Sequence, residues 1–203
     1  VKPLDLPKGA KIGTSSLRRQ AQLLSVRPDF QILQLRGNLD TRMKKLENGD
    51  FDAIILAGAG VKRLGWAEKI TELLPVELSL PAIGQGALGI ETKTNDEYIN
   101  GLVDFFNHEE TSYCVRGERA LLTRLEGGCQ VPIAAHGTLS GDRIRIDGLV
   151  ASTDGKTILK DTISGHKDDC EKLGVELAER LLKMGAYDIL KSLYEVTPPP
   201  GAG

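Results

Sequence analysis

The chain has 203 residues, which allows one large domain or two small ones, each with its own hydrophobic core. A formal net charge of -2, with 27% charged and 4% aromatic residues, is typical of a soluble globular protein and disfavours nucleic acid as a partner. Apolar runs such as residues 53–57 are far shorter than the roughly 20 residues of a membrane helix, and no secretory signal is recognisable. We therefore expect a cytoplasmic protein without a membrane partner.

Residues 10–80 alternate short apolar runs with stretches of helical periodicity. The predicted strands cover residues 11–14, 30–35 and 53–57, and the predicted helices cover residues 16–26, 40–48 and a stretch after a loop at 58–60. Asp40 is the expected cap of the second helix. This alternation of strands and helices predicts an α/β domain with a parallel sheet, which we place at residues 1–82.

A glycine-rich segment at residues 80–89, followed by a strand-like stretch at 90–92, separates this domain from the rest of the chain. We interpret residues 83–106 as a connector between domains. The remaining predictions are helices at 96–106, 109–125 and 167–184, and strands at 133–139, 143–151 and 157–164 with tight turns between them. Residues 107–203 are therefore expected to form a small α+β domain with a three-stranded antiparallel sheet and helices.

Five arginines of the first half fall close to the predicted carboxyl ends of the parallel strands. They are Arg18, Arg19, Arg36, Arg42 and Arg63. Open α/β sheets bind ligands at this edge, and the hydroxyl-rich strand-to-helix loop at residues 13–16 is suited to an anion. The pattern predicts a site for a polyanion, although guanidinium groups bind carboxylates and phosphates alike. Each arginine taken singly also fits an ordinary surface position with a solvated head group.

The three cysteines, Cys114, Cys129 and Cys170, are odd in number and widely spaced, which argues against a disulfide framework and a metal site. Cys114 and Cys170 lie in helical patterns and are expected to be buried apolar residues. Cys129 follows two glycines and precedes Val131 and Pro132, so it is expected on a loop that can present its thiol. The residues alone thus indicate a polyanion site and a loop thiol.

Four segments together closely resemble the porphobilinogen deaminases, also called hydroxymethylbilane synthases. They are GTSSLRR at 13–19, LRGNLDTR at 35–42, LPAIGQGA at 80–87, and ERA at 118–120 followed by LEGGCQVP at 125–132. The resemblance extends over about residues 11–193. It implies a transferase of tetrapyrrole synthesis, which joins four porphobilinogen molecules head to tail, with release of ammonia, to give hydroxymethylbilane.

The resemblance also assigns roles to individual residues. It implies that Cys129 carries a dipyrromethane cofactor through a thioether bond and that Gln85 lies close to incoming substrate. The acetate and propionate groups of the cofactor and of the polypyrrole intermediates would be bound by the arginines and by neighbouring polar side chains. This expected set comprises Arg18, Arg19, Arg36, Arg42, Arg63, Thr14, Ser15, Ser16 and Asn38, with no metal.

The family fold has three domains, and the first half of this chain resembles the second of them, a domain of periplasmic-binding-protein type. The connector resembles the segment that returns to the first domain, and residues 107–203 resemble the third. Nearly all of the first domain, with the aspartate that the family uses for proton transfer, has no match in this chain. We therefore expect the chain to be inactive alone, to partner that N-terminal domain, and to belong to a monomeric enzyme.

Two other functions are consistent with the same architecture. A non-enzymatic module that binds small anions would bind its ligand reversibly and would leave Cys129 unmodified. A phosphate-binding or nucleic-acid-binding role is disfavoured by the net charge and by the scarcity of aromatic residues.

Overall fold

The first half of the chain forms the expected parallel sheet in a computed structural model that describes residues 2–127 and 131–196. Its elements are β1 (Lys11–Gly13), α1 (Leu17–Val26), β2 (Gln31–Leu33), α2 (Leu39–Glu47), β3 (Ala53–Ile54) and α3 (Gly58–Arg63). The strand order is β2-β1-β3 with parallel pairing throughout, so β1 lies at the centre. The prediction of an α/β arrangement with a parallel sheet is confirmed, whereas the likeness to periplasmic binding proteins stays a prediction.

Capping residues determine where two of these helices begin. The side chain of Ser16 accepts a hydrogen bond from the backbone of Arg19 at the start of α1. Asn38, and not the predicted Asp40, caps α2, because its side-chain oxygen accepts the Thr41 backbone N–H at 2.9 Å. An Asn cap two residues earlier starts the helix two residues earlier, so Asp40 instead supplies a favourable charge in the first turn.

Two further predictions in this half are wrong. Residues 58–60, expected as a loop, form the first turn of α3, which follows β3 after three residues. The strand expected at residues 90–92 is absent, and both Ile90 and Glu91 are exposed. A strand requires a neighbour for its backbone hydrogen bonds, and neither sheet in the described ranges includes this segment.

The second half of the chain packs helices against one antiparallel sheet. It contains α4 (Glu97–Val103), a 3₁₀ turn (Asp104–Phe106), α5 (Glu109–Arg124), β4 (Ile133–Ser140), β5 (Arg143–Ala151), β6 (Ile158–His166), a 3₁₀ turn (Lys167–Asp169), α6 (Cys170–Leu181) and α7 (Tyr187–Val196). The sheet order β4-β5-β6 with antiparallel pairing confirms the predicted three-stranded sheet. The last predicted helix, 167–184, corresponds to the second 3₁₀ turn and α6, and Gly185 at φ 105° interrupts the helix directly after its predicted end. The prediction missed α7, which follows this interruption.

The core of this half lies between the sheet and the pair of helices α5 and α6. Leu121 and Leu177 from the helices meet Ile144 and Ile146 from β5, and all four are fully buried. The helices of the described ranges are too short or too polar to cross a lipid bilayer.

The two sheets are connected through α1. The Gln20 side chain donates a hydrogen bond to the carbonyl of Thr153, in the turn between β5 and β6, at 3.0 Å. Gly155 of that turn lies so close to α1 that an added Cβ would approach the carbonyl oxygen of Ala21 to 2.5 Å. Ala21 and Leu80 also share an apolar cluster with residues of β4 and β5. Leu80, near the end of the first half, is thereby held against the second sheet.

Gly174→Ala is expected to destabilise the fold by about 1–3 kcal/mol, the usual cost of overpacking. A Cβ at Gly174 would overlap the carbonyl oxygen of Gly117 where α5 crosses α6, and backbone cannot move aside cheaply. Gly101→Ala in the exposed α4 is the matched control, because its Cβ would meet no described atom within 4 Å and should stabilise the helix by about 0.5–1 kcal/mol. Urea unfolding of both variants tests the difference, and equal midpoints would contradict the packing described for the crossing.

Candidate functional site

A cavity of about 440 Å³ lies beside β3 and the segment that follows it. Its polar lining includes Arg18, Arg19, Gln85, Lys69 and Glu72. Its apolar lining includes Met43, Leu46, Leu56, Val61 and Leu74. An apolar wall with a few converging polar groups, at this volume, is typical of a small-molecule site.

The side chain of Arg18, on α1, binds the segment 80–85. Its side chain is 7% exposed, Nη1 donates to the carbonyl of Leu80 at 2.5 Å, and Nη2 donates to Oε1 of Gln85 at 3.2 Å. Burial, and then the neighbouring charge of Arg19, lower the pKa of Arg18 to about 10. The structure thus brings two of the predicted site residues, Arg18 and Gln85, into direct contact.

Arg19 is the second cation of the site. It is partly buried, and its Nη1 donates to the carbonyl of Ile55, just beyond β3, at 2.8 Å. The pKa of Arg19 is lowered by burial and then by the positive charge of Arg42. Arg18, Arg19 and Arg42 therefore form a group of mutually repelling charges, which we call the arginine cluster.

The arginine cluster has no acidic counterpart among the ion pairs of the described residues. Sheltered cations that repel one another favour an anionic ligand, because an anion offsets both the repulsion and the loss of hydration. The cluster is therefore suited to bind carboxylate or phosphate groups.

The other three predicted cations, Arg36, Arg42 and Arg63, do not line the cavity. Arg42 reaches back to the carbonyl of Gly37 at 2.8 Å, while Arg36 is exposed and bonds the side chain of Gln34 at 3.1 Å. Arg63 is the last residue of α3 and is exposed, about 8 Å along the helix axis from the first residue of that helix. Neither Arg36 nor Arg63 lines the cavity, so their predicted part in binding stays a prediction.

The three hydroxyls of the β1–α1 loop are engaged with the backbone. Thr14 Oγ1 accepts from the backbone of Ser16 at 3.2 Å, and Ser15 Oγ bonds both the N–H and the carbonyl of Leu35, at 3.1 Å and 2.9 Å. Ser16 caps α1, as described above. These bonds fix the loop against the chain beyond β2 and so position the first turn of α1, which carries Arg18. Their predicted hydrogen bonds to ligand stay predictions, as does that of Asn38.

Two buried polar residues that were not predicted as site residues bind the glycine-rich segment at residues 80–89. The side chain of Gln22 accepts the Leu80 backbone N–H at 2.7 Å and donates to the Leu80 carbonyl at 3.1 Å. Glu118 accepts the backbone N–H groups of Gly84 at 2.6 Å and Gly137 at 2.8 Å, and burial raises the pKa of its carboxyl group. Both contacts join residues distant in the chain, so the sequence did not predict them, although Glu118 begins the ERA segment of the family resemblance.

Glu72 was also missed by the sequence. Its Oε2 atom is buried, lies in a residue that lines the cavity, and has no hydrogen-bond partner within the described part of the chain. The surrounding residues, Thr71 to Leu74, carry no motif that would single out this glutamate.

The cysteines differ in what the structure establishes. Cys114 and Cys170 are buried, as predicted. Burial raises the pKa of the Cys114 thiol to about 11, assisted by Glu118 and Glu110, and burial also raises the pKa of Cys170. Both thiols therefore stay protonated and are poor nucleophiles. Cys129 lies outside the described residues.

Comparison with known proteins identifies two family models that match the chain. One, described as porphobilinogen deaminase, dipyromethane cofactor binding domain, matches residues 2–101, and the other, described as porphobilinogen deaminase, C-terminal domain, matches residues 112–183. The chain is 60% identical over 195 residues to porphobilinogen deaminase of Geobacter metallireducens and 58% identical over 195 residues to that of Geotalea uraniireducens. Each match covers 96% of this chain and 61% of the relative, so the chain spans about three fifths of its relatives' length.

Proposed function

Since the chain belongs to the porphobilinogen deaminase family, we propose that it provides the cofactor-binding site and the attachment thiol of a hydroxymethylbilane synthase. Such an enzyme condenses four porphobilinogen molecules head to tail and releases ammonia at each step. The observation that carries the proposal is that Arg18 and Arg19 of the arginine cluster line a small-molecule cavity. Acetate and propionate groups on every pyrrole ring are the anions that this cluster would bind.

The residues present fit a dipyrromethane group. Each guanidinium has five N–H donors, and the contacts within the chain use two from Arg18 and one from Arg19. The remaining donors are available for bidentate binding of carboxylates. The cavity volume is in the range of sites that hold small organic ligands. When attached to Cys129 through a thioether, the cofactor would supply the primer on which the polypyrrole chain is extended.

The chain's own side chains would contribute binding and orientation. Arg18 and Arg19 would hold carboxylates in a sheltered site, where a charge-assisted hydrogen bond is stronger than in water. Gln85 would keep Arg18 oriented from the connector, and Arg42 would add positive charge close to Arg19. The other members of the predicted set would contact the carboxylates of the growing product. These are Arg36, Arg63, Thr14, Ser15, Ser16 and Asn38.

We assign residues 1–82 to the cofactor-binding domain, 83–106 to a connector toward the N-terminal domain of the same enzyme, and 107–203 to the domain that carries Cys129. The proposal of a non-enzymatic anion-binding module is not favoured, because both family models and the relatives are named for the deaminase.

The isolated chain is expected to form hydroxymethylbilane at least roughly a hundredfold more slowly than a full-length relative, the usual effect of losing one general acid or base. The aspartate that the family resemblance assigns to proton transfer has no match in this sequence. Ammonia release from porphobilinogen measures the rate, with the Geobacter metallireducens enzyme as the positive control. Turnover by the chain at a rate comparable to that control would refute the proposal of inactivity.

A further inference from the structure

The carboxylate of Glu118, on α5, joins two backbone segments that are distant in the chain. Glu118 is 5% exposed, its Oε2 accepts the N–H of Gly84 at 2.6 Å, and its Oε1 accepts the N–H of Gly137, on β4, at 2.8 Å. Burying a carboxylate is unfavourable, and two charge-assisted hydrogen bonds offset part of that cost. A glutamine of the same shape has only one acceptor oxygen and could not satisfy both N–H groups. The contact at two points therefore requires a carboxylate.

The Gly84 end of this contact belongs to a tight turn at residues 82–87. The N–H of Gln85 donates to the carbonyl of Ala82 at 2.9 Å, and the N–H of Ala87 donates to the carbonyl of Gly84 at 3.1 Å. Gly84 has a φ of 67°, in the left-handed region that favours glycine. Because the turn is bonded to itself in this way, a group that holds Gly84 also restrains the backbone of Gln85.

Gln85 extends this restraint to the carboxylate site. Its Oε1 accepts a hydrogen bond from Nη2 of Arg18 at 3.2 Å, and Arg18 lines the cavity together with Arg19. Successive residues of one turn thus bind Glu118 and Arg18. A long arginine side chain has many rotamers, so its direction depends on partners that are themselves held in place.

We propose that Glu118 is a positioning residue for Arg18, because it holds the turn that carries Gln85. The inference rests on the proposed function, in which Arg18 binds carboxylates of the cofactor. Glu118 lies on α5, which ends at Arg124, five residues before Cys129 in the sequence. Its carboxylate thereby connects the helix that leads to the attachment thiol with an arginine that binds the attached group.

The guanidinium signals of Arg18 test this connection without a ligand. Two hydrogen bonds restrict the rotation of the group, so its Nη protons should give resolved NMR signals in the 203-residue chain, assigned by their loss in Arg18→Met. Glu118→Met keeps the length of the side chain and removes both acceptors, so it should broaden or shift these signals. Gln85→Leu removes the acceptor of Arg18 itself and should have the same effect. Unchanged Arg18 signals in Glu118→Met would overturn the proposal.

Gly174→Ala is the matched control for lost stability. It is expected to destabilise the fold by an amount similar to Glu118→Met, but it does so where α5 crosses α6, against the carbonyl of Gly117. Thermal unfolding compares the two variants, and the Arg18 signals of the control should match those of the parent chain. If they change as they do in Glu118→Met, the effect is a general result of destabilisation and the positioning role is refuted.

Binding of a free dipyrromethane, with acetate and propionate groups on both rings, measures the consequence for the site. The titration uses the chain with Cys129→Ser, so that the ligand binds reversibly. Glu118→Met should weaken binding by roughly threefold to tenfold, and it should cause no further loss once Arg18 is replaced by methionine. Losses that simply add in the double variant would mean that Glu118 does not act through Arg18.

A measurement on the parent chain decides the matter if Glu118→Met does not fold. The amide of Gly84, bonded to Glu118, should exchange with deuterium at least roughly tenfold more slowly than the amide of the exposed Gly86. Equally rapid exchange of the two amides would show that the carboxylate does not hold the turn. Failure of the Cys129→Ser chain to bind the dipyrromethane would instead contradict the proposed function, and it is distinguishable because the NMR and exchange measurements need no ligand.

Discussion

Arg19→Met is expected to lower the affinity of the chain for porphobilinogen by roughly tenfold to a hundredfold, the range of a sheltered hydrogen bond between charged groups. Arg19 is partly buried, and its pKa is lowered by burial and by the charge of Arg42. A carboxylate bound there offsets both penalties, so the bond contributes more than one at the protein surface. Methionine keeps the length of the side chain and removes the charge and all five donors.

Calorimetric titration measures this loss, with Arg143→Met as the control. Arg143 is an exposed arginine on β5, in the other sheet, and its replacement should not change the affinity. An unchanged affinity in the Arg19 variant would mean that the arginine cluster is not the carboxylate site.

The arginine cluster could be anticipated from the sequence because its position follows from local structure. Arg18 and Arg19 come directly after a strand-to-helix loop, and such loops meet at the carboxyl edge of a parallel sheet. Arg36 and Arg63 were placed by the same reasoning, but neither lines the cavity. Chain position close to a strand end fixes where a backbone lies, and it does not fix where a long side chain reaches.

The two sheets were likewise predictable. The errors arose where contacts with neighbouring segments determine whether a strand forms or where a helix begins. Alternating apolar residues and tight turns identified β4, β5 and β6, because each strand pairs with the next along the chain. The apolar stretch at 90–92 has the composition of a strand but no partner among the described strands. Asn38 and Asp40 are both good caps, and sequence alone does not choose between caps two residues apart.

Gln22, Glu72 and Glu118 could not be found from the sequence for a related reason. Gln22 bonds Leu80 across 58 positions of chain, and Glu118 bonds Gly84 across 34. Glu72 is notable only because its carboxylate oxygen is buried without a partner. Each depends on which distant segments pack together, and periodicity does not show that. The ERA segment at 118–120 marks Glu118 as part of the family resemblance but does not show which groups its carboxylate binds.

Cys129→Ser is expected to abolish covalent attachment of the dipyrromethane. A serine hydroxyl is a far weaker nucleophile than a thiol at neutral pH. The other two cysteines cannot replace it, because Cys114 and Cys170 are buried and their pKa values are raised. Cys114→Ala is the control and should leave the attachment intact.

The intact mass of the denatured chain, purified from cells that make porphobilinogen, shows whether a dipyrromethane is attached to Cys129. We expect the sequence mass plus two porphobilinogen units less two molecules of ammonia, with the increment present after Cys114→Ala and absent after Cys129→Ser. The bare sequence mass for the parent chain, or an increment that survives Cys129→Ser, would contradict the account of a dipyrromethane held on Cys129.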